Sequence, residues 1–159
     1  MNFKWQTAFG KSPTPKLVEL IKETRAAKYV TEIDYEKFFD NLSWKKLRET
    51  ALEEFEGVHR YMERILRAKI KCKDGNIITP DKGTPQGGVP SPMWAARTLH
   101  RNVIKKLPTG VKVTAYLDDV VAVSEEPIEL KWFESEEAGI KVNAKKTKIT
   151  KEMESGKKR

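Results

Sequence analysis

The apolar positions of the first seventy residues recur at helical spacing in two stretches. They predict a helix over 16–27 and a helical region over 44–67 that is interrupted at Gly57. Between them, residues 29–34 are rich in β-branched side chains and alternate in character, which predicts a short strand. That strand ends at Asp34, so a carboxylate is expected at a strand end.

The rest of the chain alternates between hairpin patterns and helical patterns. Asp74-Gly75, flanked by alternating residues, predicts the turn of a first β-hairpin. A stretch dense in glycine and proline predicts a loop that leads into a helix, and two valine-rich runs predict a second hairpin. The predicted ranges are a hairpin over 69–79, a loop over 82–92, a helix over 93–106, a hairpin over 111–124, a polar helix over 127–138 and one or two short final strands.

These elements predict an α+β fold with an antiparallel sheet of about four strands. The helices are expected to pack on one face of the sheet, in ferredoxin-like order, because a parallel sheet would need a helix between every pair of strands. Residues 1–150 are interpreted as one domain, and residues 151–159 as a basic C-terminal tail.

The composition limits the class of protein to a soluble domain. The 159 residues are 38% hydrophobic and 34% charged, which suffices for one modest core. No apolar window approaches the length of a membrane span, and the start lacks the apolar region of a secretory signal. We therefore expect an intracellular protein, in a compartment left open, with no membrane partner. The single Cys72 excludes an internal disulfide.

The formal charge of +8 is concentrated near the C-terminus. Residues 141–159 contain eight Lys or Arg and two Glu. A basic stretch on a nearly neutral body predicts a polyanionic partner such as nucleic acid, although basic tails also serve as solubilising ends. The charge pattern by itself leaves both interpretations open.

Three carboxylates are placed where chemistry is expected. Asp34 follows a predicted strand, and Asp118 and Asp119 occupy the tip of a predicted hairpin. Hairpin tips often carry Asp for its turn propensity alone. If the strand before Asp34 lies beside this hairpin, however, three like charges converge and require a positive counterion. Two Mg²⁺ ions would meet this need and would equip the site for in-line phosphoryl transfer.

Four segments, in this order, resemble the motifs of reverse transcriptases. Residues 33–42 are similar to the first palm motif of that family, and residues 83–92, with Pro-Gln-Gly, resemble its PQG block. Tyr116-Leu117-Asp118-Asp119 resembles the tyrosine-x-Asp-Asp box, and residues 139–148 are similar to the fourth motif. The resemblance covers nearly the whole chain and is nearest to the non-LTR retrotransposon and group II intron branches.

The resemblance implies catalytic roles for four residues. Asp34 and Asp118 would bind both metal ions, and Asp119 would be a nearby, partly redundant carboxylate. Lys146 matches a motif whose lysine is proposed to protonate the departing pyrophosphate. In so basic a segment, a solvated charge that attracts phosphate is an equal alternative for Lys146.

The resemblance also implies contacts to nucleotide and template. Phe39 matches the aromatic gate whose bulk would collide with a ribose 2′-OH, which implies a preference for dNTPs; a core phenylalanine is the alternative. Gln86 and Gly87 match the loop that approaches the incoming base and the template, where a side chain larger than glycine would intrude. Tyr116, the first residue of the box, belongs to the same set.

The implied function is the palm of an RNA-directed DNA polymerase, a nucleotidyltransferase that extends a DNA primer on an RNA template. The alternatives are a catalytically incompetent palm remnant or subunit that binds RNA, and an RNA-dependent RNA polymerase. The fingers and thumb of a full enzyme lack counterparts in these residues. Three interpretations stay open: a fragment, an inactive remnant, or a subunit of a split enzyme whose second polypeptide supplies those parts. The chain by itself is expected to bind metal and nucleic acid without processive synthesis.

Overall fold

The computed structural model describes residues 14–54 and 57–151. These residues form five α-helices and six strands along the chain. In order, they are α1 (Thr14–Ala26), β1 (Tyr29–Ile33), α2 (Phe38–Asn41), α3 (Trp44–Glu54), α4 (His59–Leu66), β2 (Ile70–Lys71), β3 (Ile77–Ile78), α5 (Ser91–Asn102), β4 (Lys112–Tyr116), β5 (Asp119–Ser124) and β6 (Lys148–Lys151). Apart from Lys151, the predicted basic tail lies outside the described residues.

The chain divides into two compact units. The first, here called the sheet unit, comprises residues 1–35, 107–133 and 142–159. The second, here called the helical unit, comprises residues 36–106 and 134–141. Each unit is therefore built from segments that are distant in sequence.

The sheet unit contains a four-stranded antiparallel sheet in the order β4-β5-β1-β6. If the strands of this sheet are numbered 1 to 4 along the chain, their spatial order is 2-3-1-4. Counted from the opposite edge, the order is 4-1-3-2, which is the ferredoxin-like arrangement. Tyr29 pairs with Ser124, and Ile33 pairs with Val120. The prediction of an α+β fold with an antiparallel sheet and helices is confirmed.

Burial distinguishes the central strands of this sheet from its edge. Val30 and Ile33 of β1 and Val120 and Ala122 of β5, the two central strands, are buried. The edge strand β6 is exposed at every position and carries a lysine at each end. Lysines on an edge strand discourage pairing with another chain.

The helical unit packs α3 against α4 and α5. Apolar residues from all three helices are fully or almost fully buried, and they include Leu47, Met62, Leu66, Trp94 and Leu99. The predicted helical region over 44–67 is thus present as α3 and α4. Helix α5 starts slightly earlier than predicted, with Pro92 in its first turn, and ends at Asn102.

The hairpin predicted over 69–79 is present as the short pair β2 and β3. The Asp74 carboxylate accepts a hydrogen bond from the Asn76 backbone N–H at 3.0 Å, which closes the turn. Both strands of this hairpin are exposed to solvent.

The prediction of a helix over 127–138 is wrong. The structure has two 3₁₀ turns instead, Leu130–Phe133 and Glu136–Ala138. Ser135 adopts an extended backbone between them, with a φ of −149°. Its N–H donates to the carbonyl of Ile140 at 2.8 Å, and the Ile140 N–H donates back at 2.9 Å. This reciprocal pair closes a loop, which outweighs the helical pattern of the sequence.

Among the described helices, none has the length and apolar character that crossing a membrane requires.

Candidate active site

The register of the sheet unit brings Asp34 next to the tip of the second hairpin. Ile33, the last residue of β1, pairs with Val120, and Asp34 follows it directly. Asp119 precedes Val120 as the first residue of β5. Because β1 and β5 are antiparallel neighbours, the end of one strand meets the beginning of the other. The strand ends that carry the three aspartates are therefore adjacent, while the catalytic roles of Asp34, Asp118 and Asp119 stay predictions.

The hairpin tip is a tight turn of two residues. Tyr116 pairs with Asp119, so Leu117 and Asp118 form the connection. Leu117 has a φ of 57°, in the left-handed region that a branched side chain rarely adopts. Glycine is usual at this position of a two-residue hairpin. Such strain is found at functional sites, where the surrounding structure holds it in place.

The environment of Asp118 disfavours its charged form. Partial burial raises the pKa of its carboxyl, and the negative charges of Asp119 and Asp34 raise the pKa further, against the opposing effect of a backbone N–H bond. Asp118 is partly buried, whereas Asp119 is exposed. A positive ligand at this point would favour the charged form of Asp118.

A segment of the fourth motif holds the backbone of Asp34. The Asp34 N–H donates to Oγ1 of Thr147 at 3.2 Å, and the Asp34 carbonyl accepts from the N–H of Asn143 at 2.8 Å. The N–H groups of Lys146 and Thr147 both donate to the Asn143 carbonyl, at 3.1 and 2.9 Å. Residues 143–147 thus form a compact turn that fixes Asp34.

The sequence-based interpretation missed Thr147. Its only sequence signal is its position directly after Lys146 in the fourth motif. Lys146 lies on the same turn with an exposed side chain, and Tyr116 is 57% exposed beside Asp119. The sheet unit therefore gathers five of the eight predicted site residues: Asp34, Tyr116, Asp118, Asp119 and Lys146.

The donor chemistry of these carboxylates suits a hard divalent cation. Three aspartates supply oxygen ligands, which Mg²⁺ prefers. The pKa of Asp118 is raised mainly by burial, and the charges of Asp119 and Asp34 add to the effect. Within 14–54 and 57–151, no three His, Cys, Asp or Glu side chains converge closely enough to enclose a metal ion. Asp34, Asp118 and Asp119 are the residues that could hold one.

The remaining predicted residues, Phe39, Gln86 and Gly87, belong to the helical unit. Phe39 lies on α2, and its carbonyl accepts a hydrogen bond from the N–H of Thr84 at 2.8 Å. Next to Thr84, the N–H of Gly83 donates to the carbonyl of Leu42 at 2.7 Å. Backbone hydrogen bonds thus join the segment of Phe39 to the loop of Gln86 and Gly87.

Gly83 permits this close approach. Its φ is 79°, and a Cβ at this position would lie 2.6 Å from the carbonyl oxygen of Asp40. No residue with a side chain fits between the two backbones. Trp44 adds a further link, since its indole N–H donates to the Gly83 carbonyl at 2.7 Å.

Gln86 and Gly87 lie exposed on the loop. Gly87 has a φ of 86°, which explains its glycine, but an added Cβ would meet nothing within 4 Å. The loop is anchored by the buried hydroxyl of Thr84, which donates to Oγ of Ser91 at 2.9 Å. The loop is therefore anchored at Thr84, while its tip at Gln86 and Gly87 is open to solvent.

This ferredoxin-like sheet, with carboxylates where two adjacent strands end, has the architecture of a polymerase palm. The family described as "Reverse transcriptase (RNA-dependent DNA polymerase)" matches residues 2–157. The chain belongs to this reverse transcriptase family, whose members generally use divalent metal ions.

Solved telomerase structures share the fold. Apo telomerase from Candida tropicalis, truncated from its C-terminal domain, superposes with a TM-score of 0.68 at 16% identity, over 98% of this chain and 37% of that one. The C. tropicalis telomerase in complex with a TWJ fragment of telomeric RNA has a TM-score of 0.59 at 13% identity, over 92% and 30%. The corresponding Candida albicans complex has a TM-score of 0.61 at 13% identity, over 94% and 32%.

These identities show a shared fold and nothing finer. The chain spans about a third of the length of the telomerase chains that it matches. No curated protein sequence matches the chain. The expected nearness to the non-LTR retrotransposon and group II intron branches stays a prediction.

Proposed function

We propose that the chain is the palm of an RNA-directed DNA polymerase, which adds dNTPs to the 3′-end of a primer. The observation that carries the proposal is the strand register that places Asp34 beside Asp118 and Asp119 in a member of the reverse transcriptase family. Phosphoryl transfer needs positioned charge more than covalent chemistry from the protein. The clustered carboxylates are suited to supply it.

Asp34, Asp118 and Asp119 would hold two Mg²⁺ ions. Bound there, the ions would supply Lewis-acid stabilisation of the attacking 3′-oxygen and of the leaving pyrophosphate. The raised pKa of Asp118 supports this assignment. A partly buried carboxylate near two others destabilises the folded protein unless a cation binds there, and such groups are typical of functional sites. Asn143 and Thr147 would keep Asp34 in place through its backbone.

The other site residues take the roles that the family motifs imply. Lys146 would donate a proton to the leaving pyrophosphate from its exposed position. Phe39 would exclude a ribose 2′-OH, and the open tip formed by Gln86 and Gly87 would approach the base and the template. Tyr116, exposed beside Asp119, would contact the nucleotide or the template.

The proposed partners are an RNA template, a DNA primer and dNTPs. Two of the similar telomerase structures are complexes with a fragment of telomeric RNA, which supports RNA as a partner. The matched telomerases are much longer than these 159 residues. Contacts to the triphosphate and the duplex from a second polypeptide, or from a longer chain, are therefore part of the proposal. An intracellular location is a further, independent prediction.

Primer extension on an RNA template, with dNTPs and NTPs offered separately, tests the proposal. We expect dNTP incorporation by the wild type and by Asp81→Asn, which removes an exposed carboxylate of the helical unit. Asp118→Asn should reduce incorporation by about a thousandfold, because it removes a charge at the reacting centre. Equal rates for the two variants would contradict the role of Asp118, and dominant NTP incorporation would favour an RNA-dependent RNA polymerase.

The alternative hypothesis, a palm remnant that binds RNA without catalysis, predicts a different result. Such a protein would incorporate neither kind of nucleotide, and Mg²⁺ would leave its melting temperature unchanged. Our proposal predicts that millimolar Mg²⁺ raises the melting temperature of the wild type and of Asp81→Asn, but not that of Asp118→Asn.

The selectivity for dNTPs has its own test at Phe39. Phe39→Val should leave dNTP addition largely intact and increase the relative use of NTPs about tenfold or more, because the side chain that would meet the 2′-OH is shortened. Phe38→Val is the matched control, since Phe38 is the buried neighbour on the same helix. Loss of both activities in Phe39→Val, with reduced stability, would favour a core role for Phe39.

A further inference from the structure

Helix α4 and the hairpin that follows it carry a concentrated positive charge. Residues 59–73 contain six Arg or Lys and a single carboxylate, Glu63. We call Arg60, Arg64, Lys69, Lys71 and Lys73 the basic surface of the helical unit. All five side chains are exposed.

The helix directs this charge into solvent. Met62 and Leu66 are fully or almost fully buried, and they define the inner face of α4. Arg60 and Arg64 are one turn apart on the outer face, with their Cα atoms about 6 Å apart along the axis. Burial of the apolar face therefore leaves the arginines exposed.

Glu63 does not neutralise the basic surface. Its carboxylate is bound by Arg48 and by the Arg67 guanidinium at 2.9 Å. The hydrogen bonds from Arg48 and Arg67 lower the pKa of Glu63 to about 2, so it stays ionised and committed to these two partners. The five residues of the basic surface form no ion pair with any other residue that the structure describes.

Apolar and aromatic side chains lie exposed among these cations. Ile70 pairs with Ile78 across the hairpin, and Ile77 pairs with Lys71. Ile77 is 66% exposed, and Tyr61 on α4 is 61% exposed. Unpaired cations beside exposed aromatic and aliphatic groups match the phosphates and the base or sugar faces of a nucleic acid.

We infer that this basic surface binds the phosphate backbone of the nucleic acid that the protein copies or extends. The inference rests on the proposed function for the identity of the partner and adds a contact region that lies apart in sequence from the motifs of the family. Five exposed cations that pair with no described residue favour a polyanionic partner. A bilayer fits less well. The apolar face of α4 is buried in the helical unit, so it is not available to insert into a membrane.

Equilibrium binding without dNTPs tests the inference. The probe is a labelled single-stranded RNA of about 20 nucleotides, followed by fluorescence anisotropy between about 50 and 300 mM KCl. The test variant combines Arg60→Gln, Arg64→Gln, Lys69→Gln and Lys71→Gln. The control variant has the same loss of charge at exposed lysines elsewhere, through Lys22→Gln, Lys45→Gln, Lys105→Gln and Lys106→Gln.

We expect the test variant to bind at least tenfold more weakly at about 100 mM salt. The slope of log K against log salt should become shallower by about 2 to 3, since each lost phosphate contact contributes about 0.7 with a single strand. The control variant should retain the wild-type slope to within about 1. Equal slopes and affinities for the two variants would overturn the inference, as would strong binding to anionic vesicles in the absence of RNA binding.

A second variant separates stacking from charge. Tyr61→Ala should weaken binding severalfold and leave the salt slope unchanged, because it removes no charge. Circular dichroism melts confirm folding, since every substituted residue is exposed. If the test variant matches the control while primer extension persists, the inference fails and the proposed function stands. If the wild type binds RNA through this surface but neither extends a primer nor gains stability from Mg²⁺, the proposed function fails and the inference stands.

Discussion

The two units place their candidate functional residues by different means. In the sheet unit, Asp34 and Asp119 meet because the register of two neighbouring strands puts their ends side by side. In the helical unit, Phe39 and the loop of Gln86 meet through backbone hydrogen bonds across a glycine. The sheet unit should therefore tolerate changes in volume better than changes in charge at its site. The helical unit should show the opposite sensitivity.

Two carboxylates show the same contrast in their electrostatics. Burial and neighbouring carboxylates raise the pKa of Asp118 in the sheet unit. Two arginines lower the pKa of Glu63 to about 2 in the helical unit. A carboxylate whose charged form is disfavoured costs stability, and one whose charged form is favoured contributes stability. The proposed metal ions would relieve this cost at Asp118, whereas Glu63 stabilises the fold.

The largest expected effect tests the dependence of the helical unit on backbone contacts. Gly139 has a φ of 71°, and an added Cβ would overlap the carbonyl oxygen of Asn41. Gly139→Ala should lower the free energy of unfolding by at least about 3 kcal/mol, measured by urea denaturation. Gly75→Ala is the control, because its φ of 88° is similar and its surroundings are open. It should cost only about 1 kcal/mol. Equal losses of unfolding free energy in the two variants would show that the positive φ, and not the close approach to Asn41, requires glycine at position 139.

The next effect tests whether the turn within the fourth motif, residues 143–147, positions Asp34. Thr147→Val keeps the shape of the side chain and removes the hydroxyl that accepts the Asp34 N–H. We expect kcat to fall about tenfold with little change in KM, and stability to fall by about 1 kcal/mol. Thr150→Val on the exposed edge strand β6 is the matched control and should change neither quantity. A lower stability with unchanged kcat would limit Thr147 to a structural role.

The third prediction concerns the pH dependence conferred by Glu63. Its pKa is lowered from 4.5 to about 2 in the folded protein, so its contribution is present above pH 4.5 and is lost as the pH falls towards 2. Because the arginine network is partly open to solvent, we expect Glu63→Gln to cost about 1 kcal/mol at pH 7. The cost should shrink below pH 4. Glu129→Gln, in an exposed pair with Lys131, should cost little at any pH.

The smallest effect has the opposite sign and lies in the sheet unit. The raised pKa of Asp118 means that its carboxyl costs stability once the pH exceeds its folded pKa, and that the cost disappears as the pH falls below its ordinary value. Asp118→Asn should therefore raise the melting temperature in EDTA by about 1 to 3 °C at pH 7, and by nothing near pH 3. Asp81→Asn should have no such effect. A lower melting temperature for Asp118→Asn at pH 7 would contradict the assignment.

Much of the local structure followed from patterns within short windows. The strand before Asp34, the helices over 44–67, the Asp-Gly hairpin and the hairpin around Tyr116 to Asp119 were all predictable. Each is determined by apolar spacing and turn chemistry over about ten residues. The carboxylates of the sheet unit were predictable for the same reason, since strand ends and hairpin tips are local features.

The helix predicted over 127–138 shows where local patterns fail. Its residues have helical spacing, but Ser135 and Ile140 pair with each other and break the segment into two turns. Leu117 is a second example, because its left-handed backbone lies where propensity would place glycine. Tertiary packing decides such segments, since a few hydrogen bonds and buried contacts outweigh propensities of a few tenths of a kcal/mol per residue.

The sequence by itself determined the order of the elements, the antiparallel α+β class and the family motifs that mark Asp34, Phe39 and the Asp118-Asp119 pair. Only the tertiary structure decided which residues support them. Three such contacts join residues that are distant in sequence. They are the hydrogen bond of Thr147 with Asp34, the close backbone approach at Gly83 and the ion pairs of Glu63 with its arginines. The physical reason is that hydrogen bonds, steric contacts and pKa shifts depend on distance in space, which a pattern along the chain does not contain.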